Sequence, residues 1–257
     1  MEVLSSLKNP KVMLWRSLKD RKVRNETGCF LVEGRRSVEE ALRASFPLKA
    51  LLVTDPDDPF ARNVQDVFQV PDHVMAHICD TKTPQGVAAV MQTRTLPLSG
   101  RHLVALDGVQ DPGNVGTIIR TADAAGLDGV LLSADCADPY SPKVLRSTMG
   151  SIFHIPCHVV PDLETRLRNL LDTGYALFSS QLDGEPFFQA VPTLPNPWVL
   201  IVGNEGNGIR PNIRSLSDYH LRLPMRGAAE SLNAAIAAGI MMYALMEAES
   251  ESHELNP

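Results

Sequence analysis

The sequence predicts an α/β fold in two parts, a small α/β unit followed by a larger one whose mostly parallel sheet is covered on both faces. Three observations predict it. From residue 102 onward, short apolar runs alternate with helix-patterned segments, the order a parallel sheet requires. Three glycine-containing loops each follow one of these strands directly. The chain has 257 residues, 44% hydrophobic and 21% charged, enough for two domains with packed cores and too apolar for wholesale disorder.

Residues 4–24 read as a helix that begins near Ser5 or Asn9–Pro10, with Leu14, Trp15 and Leu18 on its apolar side. Phe30 to Gly34 is a short strand ending at a glycine, and Ser37 to Ala44 a helix. Leu48 to Thr54 is a second strand, stopped by Asp55–Pro56–Asp57–Asp58–Pro59. Ala61 to Val70 is predicted as a helix, followed by short segments around Val74 and over Gly86 to Met91. The stretch Arg94 to Gly100, with Leu96–Pro97–Leu98 inside it, is the linker. The expected domains are thus 1–95, a linker over 96–100, and 101–257.

In the second part, His102 to Leu106 is a strand, Asn114 to Ala125 a helix capped by Asn114, and Gly129 to Leu132 a strand. Lys143 to Met149 is helical, Ile152 to Ile155 a short strand, Leu163 to Thr173 a helix and Tyr175 to Ser179 a strand. Trp198 to Val202 and Tyr219 to Leu223 are the last strands, and Ser231 to Met246 the last helix. The acidic tail from Glu247 to Pro257 is expected to fray.

Composition excludes several classes. Aromatics at 5% are too sparse for a protein built only to stack bases. The start of the chain is charged within its first turns, and no apolar run approaches a membrane span, so a cytoplasmic protein without membrane association is expected. Cys29, Cys79, Cys136 and Cys157 form no CxxC pair and read as free thiols. His73, His77 and Cys79, or Cys157 with His158, close no ligand set, so no metal is expected.

The net charge of −6 argues against coating nucleic acid by bulk attraction. The first 43 residues differ from the rest: ten Lys or Arg face six Asp or Glu. Within this patch Arg21, Lys22, Arg24 and Arg35 are the candidates to hold an RNA phosphate backbone. A solvated helix face would look the same.

The three loops carry the chemistry. The first runs from Asp107–Gly108 through Gly113–Asn114–Val115–Gly116 into a helix bearing Arg120. It lacks the GxGxxG of a dinucleotide site, so a dehydrogenase is disfavoured. The second is Val202–Gly203–Asn204–Glu205–Gly206–Asn207–Gly208–Ile209, where glycines let the backbone approach a ligand and Glu205 can accept hydrogen bonds. The third, Leu223–Pro224–Met225–Arg226–Gly227–Ala228–Ala229–Glu230–Ser231–Leu232–Asn233, sets Ser231 and Asn233 at the mouth of an alanine-rich helix. Ser231 would serve equally as a cap; a buried Asn233 amide needs partners.

These three motifs, in this order and spacing, resemble those of the SpoU/TrmH-type (SPOUT class) RNA ribose 2′-O-methyltransferases. Phe30–Leu31–Val32–Glu33–Gly34 and Thr83–Pro84–Gln85–Gly86 resemble, more weakly, the family's amino-terminal substrate-binding domain, which is similar to ribosomal protein L30e. The resemblance implies a trefoil-knotted methyltransferase domain, which general connection rules would argue against, and a homodimer. It implies S-adenosylmethionine as cofactor, bound by Gly203, Ile209, Leu223 and Leu232. Arg120 would face the ribose 2′-hydroxyl, oriented with the ribose by Asn114, Glu205, Ser231 and Asn233. The expected reaction is methyl transfer to RNA, with 23S ribosomal RNA favoured. Transfer RNA, or a non-catalytic role in RNA binding or ribosome assembly, remains open on the sequence.

Overall fold

The computed structural model describes residues 1–254, with the side chains of 63 and 250–254 left aside. Two compact units emerge. One comprises residues 1–94 together with 138–154; the other comprises 95–137 and the described chain from Ile155 on. A single cut at 96–100 does not anticipate that 138–154 packs with the first unit.

The first unit begins with β1 (Glu2–Val3), α1 (Pro10–Ser17) and α2 (Arg21–Thr27). The single helix expected over 4–24 is two. Asn9 caps α1 through Lys11 N with Pro10 in the first turn, and Asp20 opens α2 by accepting from Lys22 N. Then come β2 (Cys29–Glu33), α3 (Arg35–Arg43) and β3 (Leu48–Val53). The helix expected over 61–70 is instead a 3₁₀ turn (Pro59–Asn63) followed by β4 (Val67–Gln69). Parallel pairing of β4 with both β1 and β3 overrides the local helix preference. The chain continues through α4 (Asp72–Ile78) and β5 (Val87–Gln92). The resulting five-stranded sheet has the order β1-β4-β3-β5-β2. Trp15, Leu18, Leu52, Val74 and Ile78 pack in its core.

In the second unit β6 (His102–Asp107) leads to α5 (Pro112–Ala125) and β7 (Gly129–Ser133). The N-cap of α5 is Asp111, which accepts from Asn114 N at 2.9 Å, and not Asn114. The chain then enters the first unit as α6 (Pro142–Thr148). Ile152 lies in a 3₁₀ turn (Ser151–Phe153), and the strand expected at 152–155 forms later, as β8 (Cys157–Val160). Residues 138–154 pack in the first unit, Phe153 against Phe30 and Phe46, so the strand that joins the second unit's sheet starts only after them. α7 (Leu163–Asp172), β9 (Ala176–Pro186), α8 (Phe187–Ala190), β10 (Trp198–Gly203), α9 (Pro211–Arg214), β11 (Tyr219–Arg222) and α10 (Ala234–Glu254) complete the unit. α10 remains helical to Glu254, where fraying was expected from Glu247; residues 255–257 lie outside the described chain.

The six-stranded sheet runs β11-β9-β10-β6-β7-β8. Every pairing in it is parallel. β6, β7 and β10 are apolar almost throughout and buried on both faces, as central parallel strands must be. Their carboxyl ends deliver the Asp107 and Gly203 loops side by side, because Gly203 pairs with Asp107.

Candidate active site

Past the end of β10, where β9 runs on through Ser180 to Asp183, lies a cavity of about 530 Å³. This is the size of a small-molecule site. Gly203, Ile209, Leu223 and Leu232 all line it, together with Glu205, Ser231 and Asn233. The second and third sequence motifs therefore form one wall.

The loop after β10 is closed by its own backbone. Asn204 N donates to Gly208 O at 3.0 Å, and Gly208 N returns to Asn204 O at 2.9 Å. Gly208 permits this turn with φ +69°, in the left-handed region. The fold-back lies so close to Gly203 that a Cβ there would meet the Gly208 carbonyl carbon at 2.3 Å. Asn204, not singled out from the sequence, holds the loop in place. Its Nδ2 donates to Gly108 O at 2.7 Å, and its Oδ1 accepts from Gly206 N and Asn207 N.

Because Asp111 takes the capping role, the Asn114 side chain is free to turn inward. Its Nδ2 donates to Glu205 Oε1 at 2.9 Å, and its Oδ1 accepts from Asn233 Nδ2 at 2.9 Å. Asn233 Oδ1 in turn accepts from Ala235 N at 2.9 Å and Ile236 N at 3.3 Å, so Asn233, not Ser231, caps α10. Glu205 also accepts from Gln110 N and Asp111 N at 3.3 Å each. One residue from each motif is thus joined in the chain Asn233–Asn114–Glu205. Burial would raise the Glu205 carboxyl, but these donors, Asn114 first among them, prevail and hold it below the ordinary carboxylate value.

Arg120 stands apart. It is exposed on α5, does not line the cavity, and its side chain makes no hydrogen bond or ion pair among the described residues. Arg210, which the sequence reading passed over, is instead fixed. Its backbone N and Nε donate to the buried Asp107 carboxylate at 2.7 and 2.6 Å. The strand-ending Asp107–Gly108 was the available signal for this anchor.

The basic patch divides. Arg21 and Lys22 are exposed on α2. Arg24 is 5% exposed, and its guanidinium is consumed by Leu18 O, Lys19 O and Asp138, the last at 2.5 Å through Nη2. The expectation that Arg24 holds RNA is therefore corrected: it is buried, and each of its three guanidinium nitrogens is already engaged inside the protein. Arg35 is half-exposed and paired with the buried Asp58 carboxylate. All four cysteines are free, and no cluster of His, Cys, Asp or Glu among the described residues is arranged to hold a metal. No described helix is long and apolar enough to cross a membrane.

Known proteins resemble this chain along nearly its whole length. Residues 101–243 match the SpoU rRNA Methylase family, and residues 9–89 match the MRM3-like substrate binding domain. The chain is 40% identical over 250 residues to the 23S rRNA (guanosine(2553)-2′-O)-methyltransferase RlmP of Bacillus subtilis, covering 95% of this chain and 99% of that protein. It is 32% identical to a 23S rRNA (uridine(2479)-2′-O)-methyltransferase of Streptomyces viridochromogenes, covering 92% and 89%. Among solved structures, an AdoMet-bound rRNA methyltransferase from Sinorhizobium meliloti superposes with a TM-score of 0.84 at 35% identity, over 96% of this chain and 97% of that one. A matched family model over more than half the chain, and relatives alike along nearly all of it, lead to one conclusion: the chain belongs to the SpoU rRNA methylase family.

Proposed function

We propose that the protein transfers the methyl group of S-adenosylmethionine to a ribose 2′-hydroxyl of 23S ribosomal RNA, acting as a homodimer in the cytoplasm. The observation that carries this reading is the Asn233–Asn114–Glu205 chain, which joins the three motifs beside one cavity. The cavity fits the donor. Ile209, Leu223 and Leu232 offer an apolar wall for its base, while Ser180, Asn207 and Ser231 offer polar groups.

The bound donor supplies an already electrophilic methyl group. What remains for the protein is to orient the nucleophile and manage its proton. Arg120 carries a guanidinium, which donates hydrogen bonds and accepts none. Its role in this reading is to grip the phosphate next to the reacting ribose and to stabilise negative charge developing on the 2′-oxygen. Asn114, Glu205, Ser231 and Asn233 hold the frame in which the ribose sits.

In this reading Arg120 meets the cavity of a second subunit, since it does not line that of its own. α10 packs along α5, the helix that carries it, with Gly239 against Thr121. α10 presents a stripe of exposed apolar residues: Ile236 is 55%, Ile240 39% and Tyr243 47% exposed. A second copy covering this stripe would bring the partner subunit's Arg120 toward this cavity. The trefoil crossing belongs to the same reading, supported by the return of α10 from the edge strand β11 to α5 and the central β10. In the first unit, exposed Arg21 and Lys22, with half-exposed Arg35, are the residues proposed to hold RNA phosphates.

The test is labelled methyl transfer to unmodified total RNA, followed by mapping of 2′-O-methyl sites in ribosomal and transfer RNA. Arg120→Ala is expected to lose turnover by orders of magnitude while S-adenosylmethionine affinity, measured by calorimetry, is kept. Mixing inactive Arg120→Ala with inactive Asn233→Ala chains restores activity if the arginine works across the dimer. Near-normal turnover of Arg120→Ala overturns its assignment.

A further inference from the structure

We propose that Arg214 and Asp183 form the receptor for the amino-acid end of the methyl donor, Arg214 taking its α-carboxylate and Asp183 its α-ammonium. This inference rests on the donor assigned under the proposed function.

One end of such a donor is a flat base; the other is a zwitterion. An ionic group entering a partly desolvated cavity needs an opposite charge. Among the residues lining the cavity, Arg214 is the one cation. The lining carboxylates are Glu205 and Asp183. Glu205 is committed to Asn114 Nδ2 and the N–H groups of Gln110 and Asp111. That leaves Asp183 for an ammonium.

The placement is apt for this task. Asp183 comes from the stretch of β9 that overruns β10, and Arg214 from the end of α9, 31 residues later. They meet as Arg214 Nη2 and Asp183 Oδ2 at 2.8 Å, with side chains 47% and 66% exposed. An ion pair this solvated contributes little to stability, so opening it to admit a zwitterion loses little. Only Nη2 of the guanidinium is engaged by a side chain among the described residues. When the pair opens, Nη1 and Nη2 together give a carboxylate the two-point grip of a guanidinium fork. Arg210, one turn earlier, cannot substitute, because Asp107 binds both its backbone N and its Nε.

The experiment is titration calorimetry on the full chain with two probes, S-adenosylhomocysteine and 5′-methylthioadenosine. The second keeps base, sugar and sulfur but lacks the amino-acid end. Arg214→Met is expected to weaken S-adenosylhomocysteine at least about tenfold and methylthioadenosine less than about twofold. Asp183→Asn is expected to show the same split, and decides the matter alone if the arginine variant fails to fold by circular dichroism. Equal losses on both probes mean that the pair merely shapes the rim, and overturn the proposal. So does unchanged affinity for S-adenosylhomocysteine. A parent protein that binds neither probe overturns the assigned donor itself, a different failure.

Discussion

Removing the Asn114 side chain tests the site at its joint. Asn114 is 9% exposed and is the middle member of the chain that links the three motifs. Asn114→Ala deletes its bond to the ionised Glu205 and its bond from Asn233. A hydrogen bond to a charged group contributes about 1.5–3 kcal/mol and a neutral one about 1 kcal/mol. The sum is about 3 kcal/mol, and the orphaned Asn233 amide adds to the cost rather than relieving it. Expressed as lost orientation of the reacting groups, that is about a hundredfold in kcat/KM. Single-turnover methyl transfer at saturating donor measures it, with a thermal melt run alongside. A folded Asn114→Ala protein whose kcat/KM lies within about threefold of the parent would refute the claim that this network preorganises the site. Asn114→Asp sharpens the test. It sets a second carboxylate against Glu205, so its defect at neutral pH should shrink as pH falls and one of the two takes a proton.

Three further outcomes follow from the geometry. Arg24→Ala should cost about 3–5 kcal/mol of stability in a denaturant melt by stranding the Asp138 carboxylate, whereas neutralising Arg21 and Lys22 should leave the melt unchanged and lower both RNA affinity and its salt slope. Gly203→Val should abolish S-adenosylmethionine binding in a protein that retains its circular dichroism spectrum, because the new Cβ drives the 204–208 fold-back out of place; retained binding by calorimetry places the cofactor elsewhere. Because the Glu205 carboxyl is held below its ordinary value of 4.5, its contribution is complete above that pH and fades as pH falls through the lowered value. Stability of the parent relative to Glu205→Gln should therefore stay constant from neutral pH down to the ordinary value and converge only below it; convergence already near neutral pH contradicts the assigned ionisation.

The apolar strands were legible because burial on both faces leaves a plain mark: Leu103–Leu106 and Val199–Val202 read as strands and are strands. Segments decided by distant partners were not. Val67–Gln69 joins a sheet because β1 and β3 accept it, information absent from its own neighbourhood. Pro112 following Asp111 marks the start of α5, with the cap three residues before the Asn114 that residue preference alone suggests. In the site, the motifs were legible by resemblance, and the residues they supplied line or adjoin one cavity, Arg120 excepted. The Asn114–Glu205 bond spans 91 positions and the Asn233–Asn114 bond 119, so no local pattern encodes either. Charge counting likewise missed Arg24, since a run of basic residues does not reveal which one has a carboxylate waiting 114 residues away.

That last separation bears on how the protein is made. The amino-terminal unit takes residues 138–154 into its packing, and the buried arginine of α2 finds its counterion there. On a translating ribosome, the first 94 residues emerge while this counterion is still unsynthesised, so their guanidinium must wait in water until β6, α5 and β7 have followed. Completion of the leading unit is tied to synthesis of the trailing one, and a gene fragment ending at the linker encodes a polypeptide with an open seam.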